Sequence, residues 1–129
     1  MIPEEHFKNL QKSAPKVAEN IHEITERTFT LLFDAHPELK VLFKDVSREY
    51  PREFGSAVLA LSSLIDRPDK LQLFAVKFKA MHPSVSPEAF GFMFEALLRA
   101  MKQVMGLKAL PKAINAWDAA ITHFREHYL

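Results

Sequence analysis

The sequence contains no cysteine. That excludes a thiol nucleophile, a thiolate-held iron–sulfur cluster and any disulfide. Glycine occurs only 3 times in 129 residues, and no glycine-rich phosphate loop of either common type is present. Tryptophan occurs once and tyrosine twice, against 11 phenylalanines. The aromatic mass therefore lacks polar handles and suits a dry interior. Charge of one sign is lacking too. A formal net charge of +1 gives no field that would favour nucleic acid or acidic lipid as a partner. No apolar run approaches a membrane span, and MIPEEHFKNL at the start has no apolar signal core. A soluble, cytoplasmic protein is the expectation, with no membrane partner.

What is present is a hydrophobic content of 48% in a chain of one-domain length, read as a single domain over 1–129. Apolar residues recur at helical spacing throughout, no segment alternates like a strand, and no internal repeat occurs. The expected fold class is all-α, with about seven helices of unequal length joined by short connections.

In order along the chain, Pro3 to Lys12 reads as a short helix. Ser13 is a candidate cap for the next, with Pro15 in its first turn. That helix carries Val17, Ile21, Ile24, Thr28, Leu31 and Leu32 on one stripe and should end near His36, because Pro37 follows. HPELKVLF then reads as tight helical turns ending at Phe43. Lys44 to Tyr50 is polar and without period, a loop. From Pro51 a helix buries Phe54, Ala57, Val58, Leu61, Leu64 and Ile65, and its small residues, Gly55 among them, suggest a close approach. DRPD, residues 66–69, is a turn. After the helix from Asp69 to His82, Ser86 should cap a long helix opened by Pro87 and stopped by Gly106. Pro111 opens the last, with Ile114, Trp117, Ile121, Phe124 and Tyr128 on its stripe.

The stretch LQLFAVKFKAMHP, residues 71–83, sets Leu71, Phe74, Ala75 and Phe78 on one helix face. His82 follows four residues after Phe78, on that same apolar face, and Pro83 discourages continuation. A single imidazole is thus delivered to an apolar interior at a helix end. Taken alone, it reads as a core or capping histidine.

FTLLFDAHPELKVLF, residues 29–43, resembles the matching stretch of bacterial single-domain globins and of the globin half of flavohaemoglobins. The resemblance continues through AVLALSSLID (57–66), the His82 helix, FMFEALLRAM (92–101) and INAWDAAI (114–121), covering nearly the whole chain. It implies a globin fold around a haem pocket, with haem b (iron protoporphyrin IX) as cofactor. By that resemblance His82 is the proximal ligand of the iron. A neutral imidazole nitrogen is a good ligand, and its other nitrogen would donate to a backbone carbonyl near Phe78. Phe43 matches the phenylalanine that packs on the haem. Phe78, Met81, Val85, Met93 and Leu97 would supply apolar walls, and each is equally readable as ordinary core.

This sequence departs from the family on both sides of the haem. Phe29 stands where most relatives carry a distal tyrosine, and phenylalanine donates no hydrogen bond. Tyr50 falls where they carry a distal glutamine or histidine, after a loop about three residues shorter, with Phe54 one turn on. Tyr50 is then the hydroxyl donor of an otherwise aromatic pocket; a solvent-facing loop tyrosine is the alternative. Phe90 replaces the tyrosine that opens the helix after the proximal histidine, and its late glutamate partner has no counterpart. The electron push that this pair gives the iron in relatives is therefore not expected here.

The other histidines carry less. His36 reads as a capping or exposed residue. His6, His22, His123 and His127 lie among polar neighbours, and the i, i+4 pair His123 and His127 lacks a third metal ligand. No Ser-His-Asp set occurs, and aromatics do not interleave with a basic stripe. The expected function is reversible binding of dioxygen and other diatomic gases. Nitric oxide dioxygenase activity follows if a separate reductase is the partner, since no flavin or nicotinamide domain is present. The alternative is a sensor or interaction module with altered haem use, because fold alone does not fix function. Peroxidase activity is disfavoured by the missing proximal pair.

Overall fold

A computed structural model describes residues 2–106 and 111–129. Among these residues every regular element is helical. They are α1 (Glu4–Glu19), α2 (Ile21–Ala35), a 3-10 segment (Pro37–Phe43), α3 (Tyr50–Leu64), α4 (Pro68–Ala80), α5 (Pro87–Met105) and α6 (Pro111–Tyr128). Two helix pairs form the frame: α2 packs on α5, and α1 packs on α6. The α3 helix leans on α2 and α1, and α4 spans between α3 and α6.

The first joint differs from the sequence expectation. One helix runs through Ser13 and Pro15, and the break falls instead at Asn20. Leu10 and Val17 lie i, i+7 on the face buried against α6, each worth about 1.5–3 kcal/mol. Together they outweigh the ~3 kcal/mol that Pro15 costs by removing a bond to the Gln11 carbonyl. Ser13 does not cap a helix. Its Oγ donates to the Leu10 carbonyl (3.1 Å) and accepts from Trp117 Nε1 (2.9 Å), so it joins α1 to α6. At Asn20 the side-chain amide donates to the Lys16 carbonyl (2.8 Å), closing α1.

The α2 helix ends where Pro37 requires it, with His36 extended at φ −136°. The expected close approach occurs at Gly55. A Cβ there would stand 3.1 Å from Ile21 Cγ1 and 3.3 Å from Thr25 Oγ1, so any larger residue would push these side chains back by a few tenths of an ångström. Ser86 Oγ caps α5 by accepting from the Ala89 N–H (3.1 Å). Gly106 ends α5 at φ +51°, the left-handed region that glycine favours. Trp117, Phe124, Met93 and Leu97 belong to the core, essentially without exposure. No described helix is long and apolar enough to cross a membrane.

Candidate functional site

His82 does not lie within α4, as its spacing implied, but two residues beyond the last helical residue, Ala80. Pro83 disfavours helical angles at His82. The His82 N–H bonds the Lys79 carbonyl (3.0 Å), and the Phe78 carbonyl is left for the side chain. His82 Nδ1 donates to it at 2.7 Å. A carbonyl only accepts, so Nδ1 carries the proton and Nε2 presents its lone pair to the interior. Burial holds the imidazole below its ordinary pKa of 6.5, against an opposite pull from the Phe78 carbonyl.

Nε2 has a partner already. The Tyr50 hydroxyl hydrogen-bonds it across the space between α3 and α4. Tyr50 is the first residue of α3 rather than the last of a loop, and it is buried. Burial pushes its hydroxyl above the ordinary 10.0, and the Glu53 carboxylate adds to this, so it stays a donor. The two rings meet edge to face, with centroids 5.2 Å apart and planes at 83°.

Aromatic rings pack around this pair. Phe78, Phe90 and Phe43 have centroids 4.6, 5.4 and 6.2 Å from the imidazole. Behind Tyr50, Phe29 touches Tyr50 (5.6 Å), Phe43 (5.6 Å) and Phe54 (5.1 Å). Met93, Leu97 and Val85 are buried, whereas Met81 is half-buried at the rim. The structure thus gathers Phe29, Phe43, Tyr50, Phe54, Phe78, Phe90 and His82 into one cluster.

On the other side of Tyr50 lies an open groove of about 680 Å³, walled by Thr25, Phe29, Phe33, Phe43, Val46 and Tyr50. Tyr50 therefore stands between His82 and the surface. Phe33 was not singled out by sequence reasoning, although it follows Phe29 by one helical turn. It packs on Phe29 and Phe43 at 5.8 and 5.6 Å. The Tyr50–His82 bond was missed too; its only signal was the shortened loop before Tyr50. Thr25 Oγ1, also on this side, is buried with no hydrogen-bond partner among the described residues.

The donor set fits a haem iron: one anchored neutral imidazole, an unprotonated Nε2 that now accepts from the Tyr50 hydroxyl, and aromatic walls. The space, in this conformation, does not. Phe54 and Met93 show no exposed surface, so no water-sized void touches them, and His82 is only 2% exposed. A porphyrin facing Nε2 needs the place now held by the Tyr50 phenol.

His36 caps the end of α2 as expected, its N–H bonding the Leu32 carbonyl (2.8 Å), and in addition it stacks on Phe92 at 4.1 Å and lies 3.4 Å from Glu38. His123 and His127 adjoin at 4.7 Å, and no three metal-ligating side chains cluster among the described residues.

A model of the globin family matches residues 26–127. A globin-like protein of Aquifex aeolicus is 30% identical over 122 residues, which are 93% of this chain and 86% of that one. The flavohemoprotein of Rhizobium meliloti is 30% identical over 116 residues, or 86% of this chain but only 29% of the relative's length. Among solved structures, an engineered carbene transferase from Rhodothermus marinus, assigned as a candidate nitric oxide dioxygenase, superposes with a TM-score of 0.87. It is 25% identical, and the match covers 99% of this chain and 91% of that one.

Proposed function

We propose that this chain, which belongs to the globin family, holds haem b through His82 Nε2 and binds a diatomic gas beside it. The observation that carries this reading is the Nδ1–Phe78 bond of 2.7 Å, which fixes the tautomer and aims an unprotonated nitrogen into an aromatic cluster. When bound, haem supplies the iron at which dioxygen, carbon monoxide or nitric oxide is held. Phe43, Phe78, Phe90, Met93 and Leu97 form the apolar walls, with Met81 and Val85 at the edge. Phe29, Phe54 and Tyr50 line the gas side, where Tyr50 brings the one hydroxyl of the aromatic cluster. Exclusion of water by these rings protects the bound gas.

Oxidation of nitric oxide to nitrate by dioxygen is the finer reading, with a separate reductase supplying one electron per turnover. The chain spans about a third of the length of flavohemoprotein relatives such as that of Rhizobium meliloti, so that activity would need the partner. A cytoplasmic site fits such chemistry. The test is to load the chain with haemin, reduce it and add carbon monoxide. A gas-dependent shift of the absorption bands is expected. Uptake of haemin without any shift on gas addition would refute gas binding.

A second reading is favoured by the filled interior: a globin-fold sensor or interaction module that works without haem. It predicts a colourless protein that takes up no haemin.

A further inference from the structure

We propose that Tyr50 is a latch on His82. In the haem-free chain it occupies the nitrogen through which His82 would take iron, and haem enters only as Tyr50 swings toward the neighbouring groove. The proposal rests on the haem-binding reading for its function, though the latch itself is a property of the haem-free chain.

Four observations carry it. First, the Tyr50 hydroxyl and His82 Nε2 satisfy each other in a buried setting where neither has another described partner. A group left unpartnered there is costly, so the closed pair is strongly preferred over a half-open one. Second, the interior shows no slack. Phe54 and Met93 are wholly buried with Tyr50 in place, so the closed state is a packed state and not an empty pocket.

Third, the way out is short. Tyr50 forms part of the wall of the 680 Å³ groove that Phe29, Phe33, Phe43 and Val46 also line. Rotation of one phenol toward that groove would uncover Nε2 without disturbing α4. Fourth, the segment that must yield is weakly held. Between Lys44 and Glu49 every described hydrogen bond is local. Val46 N–H bonds the Phe43 carbonyl (3.4 Å), Glu49 N–H bonds Ser47 Oγ (3.0 Å), and Tyr50 N–H bonds the Ser47 carbonyl (3.0 Å). Lys44, Asp45, Ser47, Arg48 and Glu49 are exposed. Such a segment opens at low cost compared with the helices on either side.

Two states follow, closed by Tyr50 and open to haem. Their difference in stability is subtracted from the intrinsic haem affinity. The shortened loop makes sense in these terms, since it brings the first turn of α3 near enough for a phenol to reach across to His82.

The experiment uses the full chain, wild type and Tyr50→Phe, each freed of haem. Haemin is titrated into both while absorbance is followed, and amide hydrogen exchange of residues 44–53 is measured before haemin is added. The latch predicts that Tyr50→Phe binds haemin roughly tenfold more tightly and exchanges those amides roughly tenfold faster, the scale of one buried hydrogen bond. Haemin uptake by both proteins with equal affinity and unchanged exchange overturns the latch. If neither protein takes up haemin, the haem-binding reading fails. The latch then stands or falls on the exchange data alone, with faster exchange in Tyr50→Phe supporting it and equal exchange refuting it.

Discussion

Replacing Tyr50 by phenylalanine in the haem-free chain removes one hydroxyl and nothing else from the site. The lost oxygen leaves His82 Nε2 buried without a donor, since Nδ1 is committed to the Phe78 carbonyl. A buried acceptor stripped of its partner costs about 1–3 kcal/mol. With His82 at 2% exposure, the middle of that range, about 2 kcal/mol, is expected. Unfolding entropy near 2.1 cal/mol/K per residue makes each kcal/mol about 4 °C in Tm for a chain of this length, so a drop of about 8 °C is expected. The companion variant His82→Leu strands the Tyr50 hydroxyl and the Phe78 carbonyl. In the double variant Tyr50→Phe/His82→Leu the stranded hydroxyl is gone, so the losses must not add. Thermal or urea unfolding of all four proteins measures the coupling, expected at about 1–2 kcal/mol. Additivity to within about 0.3 kcal/mol would mean that the two groups do not interact in solution, and the reasoning about the closed site would be wrong.

Three further outcomes follow from the same structure. Thr25→Val deletes a buried hydroxyl that has no partner among the described residues and keeps the side-chain shape, so stability should rise by about 1 kcal/mol; a loss in the unfolding midpoint would show that the hydroxyl is hydrogen-bonded after all. Gly91→Ala, in the interior of α5, meets only the mobile end of Arg125, Nη1 at 3.0 Å from the new Cβ, and should stabilise by about 0.5–1 kcal/mol through helix propensity; destabilisation would mean that Arg125 is fixed in place. Burial lowers the pKa of His82 in the haem-free native chain from 6.5. The unfolded chain therefore takes up a proton first, and stability is full above about pH 6.5 and falls as the pH drops below it. Urea midpoints at about pH 7.5 and pH 5.5 should differ in that sense, and His82→Leu should narrow the gap; an unchanged gap would assign it to other groups.

The fold was legible because its evidence is periodic. The stripe from Phe90 to Met105, the Ser86 cap and the Gly106 stop can each be read without knowing what lies opposite. The misplaced joint between α1 and α2 shows the limit. Ser13 and Pro15 carry the local signals of a helix start, and the burial of Leu10 and Val17 against a helix about a hundred residues away overrides them. The cluster of Phe29, Phe43, Tyr50, Phe54, Phe78, Phe90 and His82 was also legible, through the resemblance and the spacing of His82 from Phe78. Its state was not. Whether Tyr50 faces a ligand space or closes on His82 depends on how far a shortened loop lets α3 approach α4, a distance that no residue type encodes. The capping place of His36 was legible from Pro37, but its stacking on Phe92 was not, since that partner lies on a different helix.

The central claim, that His82 is the point at which this globin takes up haem, is tested most directly by haemin titration of the haem-free wild type beside His82→Ala. One equivalent of haemin bound by the wild type, with an intense near-ultraviolet band that His82→Ala fails to develop, is the predicted result. No band in the wild type, or the same band at the same affinity in His82→Ala, would contradict it.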